Sequence, residues 1–167
     1  MKLILLFPFI HFGQIESIEY HPNQVRKEVR KIVEKIAIGG IDTEAIGYGG
    51  ERTDQYSRFI RLKEKVNIEE LVALMNHPAP SVRGYSFWGL AKLHYDNLET
   101  IFIKHANDNA IIFFMDGCSP MDIPVIEFME QVVQSNVLDV DCKKLSKSVI
   151  NKMRLERKTL PKKESTY

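Results

Sequence analysis

From residue 22 to 38 the apolar side chains Val25, Val29, Ile32, Val33 and Ile36 recur at three- and four-residue steps with Arg, Lys and Glu between them. That is the period of an amphipathic helix, and Pro22 suits its first turn. Gly39 and Gly40 end it, and with Gly47, Gly49 and Gly50 they mark the stretch to residue 50 as a loop. A second helix is predicted over 53–65, burying Tyr56, Phe59, Ile60 and Leu62. Asn67 followed by Glu70 is a capping box, opening a helix with Ile68, Leu71, Val72, Leu74 and Met75 that must stop before Pro78. Ser81 can cap the next helix, whose stripe Val82, Ser86, Gly89, Leu90 and Leu93 has small residues at Ser86 and Gly89 that let another helix approach closely.

Downstream, Asp96 or Asn97 opens a helix holding Leu98, Ile101, Phe102 and His105. Ser119 and Asp122 with Pro124 signal another, holding Val125, Ile126, Phe128, Met129, Val132 and Val133, and a last helix follows from Asp141 with Leu145, Val149, Ile150 and Met153. Every element so predicted is helical.

The set Leu71-x-x-Leu74-x-Asn76-His77-Pro78-x-Pro80-x-Val82-Arg83-x-x-Ser86-x-x-Gly89-Leu90 resembles a HEAT repeat, with His77 standing where the family has a turn Asp. A weaker second copy falls about 31 residues on, a period suited to helical arrays. There Asn107-Asp108 lies over Asn76-His77, Phe113 over Val82 and Gly117 over Ser86, while Phe114 replaces the Arg. The strings Gln55-Tyr56-x-Arg58-Phe59, Leu62-Lys63 and Arg83-x-Tyr85-x-Phe87-Trp88-x-Leu90 further resemble an uncharacterised HEAT-like family of Bacteroidota. The resemblance implies an all-α fold, a short right-handed α-solenoid of antiparallel helix pairs, irregular at both ends. It also implies structural roles for Ser86 and Gly89, and for Arg83 a contact with the carboxylate of Asp108 in the following turn.

The length of 167 residues fits one domain, here expected over 14–157. Lys plus Arg number 23 against 22 Asp plus Glu, so no net field would hold nucleic acid. Lys2, the apolar run to Phe12 and Gly13 have the layout of a secretory signal over 1–13, too short to span a bilayer. This predicts export to the periplasm or medium, without stable membrane insertion after cleavage; a cytoplasmic chain is the alternative. Residues 158–167 read as a polar, basic tail. Cys118 and Cys142 lie in no zinc-ligand spacing; they would pair only if their Cα atoms came within about 7 Å.

No two of His11, His21, His77, His94 and His105 share a helix face at a metal-binding step. No acid–base pair or nucleophile stands out, and Gly47-x-Gly49 has Arg52 where a dinucleotide fingerprint needs glycine. Neither metal nor cofactor is expected. The candidate binding surface is the stripe Tyr85, Trp88 and Lys92, on a different face of its helix from Val82 and Leu90. Aromatic residues of this kind anchor interfaces, but in a helix-rich domain neighbouring helices more often cover such side chains. The expected function is a non-catalytic interaction or scaffold module for a protein partner. A helical enzyme and a purely structural exported protein are the alternatives.

Overall fold

The structure is a computed structural model and describes residues 19–134 and 138–159. Among these, α1 covers Lys27–Ala37, β1 Ile41–Ile46, α2 Asp54–Lys65, α3 Ile68–Leu74, α4 Pro80–Lys92 and α5 Leu98–Lys104. Strands β2, Ile111–Gly117, and β3, Ser119–Pro124, follow, then α6, Val125–Val133, and α7, Lys147–Thr159. The strands form one sheet in the order β1-β2-β3, with β2 parallel to β1 and antiparallel to β3. The fold is therefore mixed α/β, which corrects the expected all-α solenoid and the HEAT-like assignment behind it.

Two stretches account for the difference. Residues 111–118, laid above within the second HEAT copy, and 119–124, read as the start of the next helix, form the β2–β3 hairpin. Ile111 to Phe114 are β-branched and aromatic, residues that fit a pleated surface. Their burial alternates, with Ile112 and Phe114 inside and Ile111 and Phe113 outside. Gly117 turns the chain at φ 56°, a conformation that favours glycine. Pro120 and Pro124 in β3 have no N–H to donate and are tolerated because the strand is an edge. The second stretch, 39–50, was expected as a loop but carries β1 between its glycines.

The helical expectations fare differently from one element to the next. Asn67 and Glu70 form the reciprocal capping box, and Thr53 caps α2 by accepting the Tyr56 N–H. Ser81 does not cap α4: Ala79 holds that position with Pro80 behind it, and the Ser81 hydroxyl donates to the Ile36 carbonyl. α6 begins only after Pro124, and α7 at Lys147 rather than Asp141.

α4 is the centre of the domain. Residues 84–91 are buried all round, as a helix packed on several sides must be. Its neighbours are α1, α3, α6, β1 and β2. It lies against the inner face of the sheet at Gly84, where an added Cβ would come 2.4 Å from Ile41 Cδ1. Gly89 faces α3 instead, its would-be Cβ 3.2 Å from Leu71. Phe114 reaches from the sheet to Phe128 of α6 at 5.2 Å, edge to face. No helix among the described residues is long and apolar enough to cross a membrane.

Candidate interaction surface

The stripe Tyr85, Trp88 and Lys92 is not an open groove. Tyr85 is fully buried and Trp88 nearly so, stacked with Phe59 at 4.7 and 4.9 Å. Their polar ends also have partners inside the fold. The Tyr85 hydroxyl accepts the Asp42 N–H and donates to the Asp42 carbonyl. Trp88 Nε1 donates to Asp139 at 2.9 Å, and Lys92 Nζ pairs with the same carboxylate at 2.5 Å. Burial would raise the Asp139 carboxyl, but Lys92, Trp88 and the Asp141 amide outweigh it and hold it below its usual range. Together the three residues fasten strand β1 and the segment around Asp139 to α4. That correction removes the proposed binding stripe, because side chains buried and bonded in this way present nothing to a partner.

Arg83 forms a fork with Asp108: Nε donates to Oδ2 at 2.6 Å and Nη2 to Oδ1 at 2.8 Å. Nη1 donates to the His77 and Pro78 carbonyls, so the guanidinium ties the α3–α4 turn to the segment after α5. His105 stands 3.8 Å from the same carboxylate. These groups line a shallow polar hollow of about 310 Å³ with Asn76 and Lys104. Its strongest donor and acceptor are bonded to one another. Ser86 is fully buried and its hydroxyl has no hydrogen-bond partner among the described residues.

Among the described residues no group of three or more His, Cys, Asp or Glu is placed to hold a metal. The two cysteines are unpaired, Cys118 exposed and Cys142 buried. Burial, with Asp139 beside it, pushes the Cys142 thiol up to about 12, which makes it a poor nucleophile.

Among the described residues, the outer face of the sheet is left without an internal partner. Phe113 is 49% exposed and Ile111 55%, and Ile38, just past the end of α1, is 84% exposed. These three rim a hollow of about 280 Å³ with Gly39, Gly40 and Pro80 on its walls. Gly40 makes the geometry possible, since a Cβ there would come 2.1 Å from the Phe113 carbonyl oxygen. Cross-strand partners share a face. Asp122 lies directly opposite Phe113, Pro124 opposite Ile111, and Asp42 opposite Met115. A parallel strand pair is ordinarily covered on both faces. Among the described residues α4 covers one face and Ile111 and Phe113 on the other are exposed.

This face was missed from the sequence because β1 and β2 were read as loop and helix. The signal that finds it is the β-branched and aromatic run Ile111 to Phe114 followed by Gly117, the first residue of the two-residue Gly117-Cys118 turn between Asp116 and Ser119. Compared with protein-family models, with curated proteins and with solved structures, the chain gives no match.

Proposed function

We propose that this chain is a non-catalytic interaction module that binds a protein partner through the outer face of its sheet. The observation that carries the reading is the cluster of Ile38, Ile111 and Phe113, three large apolar side chains exposed together around one hollow. Scattered exposed apolar residues need no explanation, whereas a contiguous patch marks a contact surface. An aromatic side chain at its centre is the residue type that anchors interfaces. The test is affinity capture from the native organism with paired baits, the unaltered chain and Phe113→Ser. Proteins retained by the first and lost by the second support the reading; an identical set from both baits overturns it.

Export belongs to the same proposal and rests on residues 1–13, which lie outside the described residues. The layout of Lys2, the apolar run and Gly13 supports it. A native protein whose mass begins near Gln14 is the expected result, and a chain retaining Met1 counts against it.

A further inference from the structure

We propose that the occupant of the sheet face is a basic amphipathic helix of a partner protein, laid along the strands over β2; this rests on the reading of that face as the binding surface. The argument begins with charge. β1, β2 and β3 contain Asp42, Glu44, Asp116 and Asp122 and not one lysine, arginine or histidine. Glu44 pairs with Arg52. Among the described residues Asp42, Asp116 and Asp122 form no ion pair. Two of these carboxylates flank the apolar centre directly, Asp122 beside Phe113 and Asp42 beside Met115. An apolar core with anionic flanks is complementary to a surface that is apolar along one stripe and cationic on both sides of it. Anionic lipid and nucleic acid carry the wrong sign. A second copy meeting face to face would set like charges against each other, which interfaces avoid.

The edges decide between a helix and an added strand. Strand addition needs a free row of backbone donors and acceptors. Along β1 much of that row is occupied. Gln55 Nε2 donates to the Gly40 carbonyl at 2.6 Å, the Tyr85 hydroxyl holds both groups of Asp42, and Glu51 exchanges both backbone bonds with Ile46. On β3, Pro120 and Pro124 have no N–H to offer, a device that blunts edges. A partner therefore gains little from pairing at either edge and most from covering the face. Six-residue strands are roughly 20 Å long, the length of a helix of about 13 residues.

The probe is a synthetic helical peptide with leucines along one face and lysines flanking them, titrated into the full chain. A matched peptide carries glutamate in place of lysine. Methyl chemical shifts of Ile38, Ile111 and Met115 report on the face, and those of Leu155 on a remote exposed site. The expected result is saturable shifts at the first three and none at Leu155. The glutamate peptide should bind at least about tenfold more weakly, and Asp122→Lys, a change at an exposed position, should weaken the lysine peptide by a similar factor. Equal binding of both peptides at the same methyls overturns the charge assignment and leaves the face as a binding surface. Absence of any shift at the face overturns both. Two other results also overturn the proposal: concentration-dependent self-association that shifts these methyls, which makes a second copy the occupant, and a change at these methyls when residues 1–18 are removed, which assigns the face to that segment.

Discussion

The Tyr85 hydroxyl holds Asp42 by both groups of its backbone, accepting from the N–H at 2.8 Å and donating to the carbonyl at 3.2 Å. One side chain of the central helix thereby replaces the neighbouring strand that the outer edge of β1 lacks. Removing the hydroxyl leaves an orphaned backbone donor and acceptor, which costs about 1–3 kcal/mol. Tyr85→Phe is expected to lower the denaturation midpoint accordingly and to speed hydrogen exchange of the Asp42 amide. Burial pushes the phenol well above its ordinary value. The folded form therefore favours the neutral phenol, and its contribution is full below about pH 10 and declines as pH rises beyond that. A Tyr85→Phe chain should lose this alkaline sensitivity.

Arg83 and Asp108 are both about nine-tenths buried. Burial raises the Asp108 carboxyl, but His105 and Arg83 outweigh it and bring it below its usual range. Arg83→Met and Asp108→Asn should each destabilise by roughly 3 kcal/mol, since each leaves a buried partner unpaired. The double variant should lose less than the sum. Urea denaturation of the four proteins measures the coupling, and strict additivity would show that the fork contributes nothing as a pair.

Glu70 combines two jobs. Its carboxylate accepts from the Asn67 amide in the capping box and from the backbone and guanidinium of Arg26. The Arg26 guanidinium chiefly, with both amides, outweighs burial and lowers its pKa to about 2. A depressed carboxyl contributes stability above its unfolded value, near 4.5, that is lost as pH falls towards 2. Glu70→Gln should cost on the order of 2 kcal/mol at neutral pH. The difference between the two proteins should shrink across that acid window, as thermal melts at several pH values will show.

Ser86 presents the opposite case, a buried hydroxyl without a partner among the described residues. Replacing a polar group of this kind by a methyl-bearing residue of similar size removes a desolvation penalty of about 1–3 kcal/mol and improves the helix propensity. Ser86→Ala should raise the melting temperature, and a fall would point to a bond that the hydroxyl makes in solution.

The helices were largely legible in the sequence because their signals are local. The three- and four-residue steps of Val29, Ile32, Val33 and Ile36 and the cap at Asn67 depend on neighbours within one or two turns. The sheet was not, because β1 has a single fully buried side chain, Ile41, and its identity as a strand comes from pairing with residues far along the chain. For α4 the periodic pattern misled in another way. A helix buried on every side has no polar face, so choosing Tyr85, Trp88 and Lys92 as the exposed one had no physical basis once α6 and the sheet packed there. Leu93, read as core, is 47% exposed. Arg83 and Asp108, in contrast, were paired in the sequence by a resemblance that the fold does not share. The structure sets them together within a different architecture.

Gly117 donates its backbone N–H to the Thr43 hydroxyl across 74 residues of chain. During synthesis, β1 leaves the ribosome with α1 and then waits while α2 to α5 are made, because its strand partner β2 has not yet been translated. Sheet closure is thus a late event with a high contact order, and such pairings are slow and exposed to misassociation. Any product ending before Ile111 would retain the helices' local signals yet lack the strand that completes the inner face. Completion comes later still, since β3, α6 and α7 follow residue 117 and α6 supplies Ile126, Phe128, Met129 and Val132 to the core.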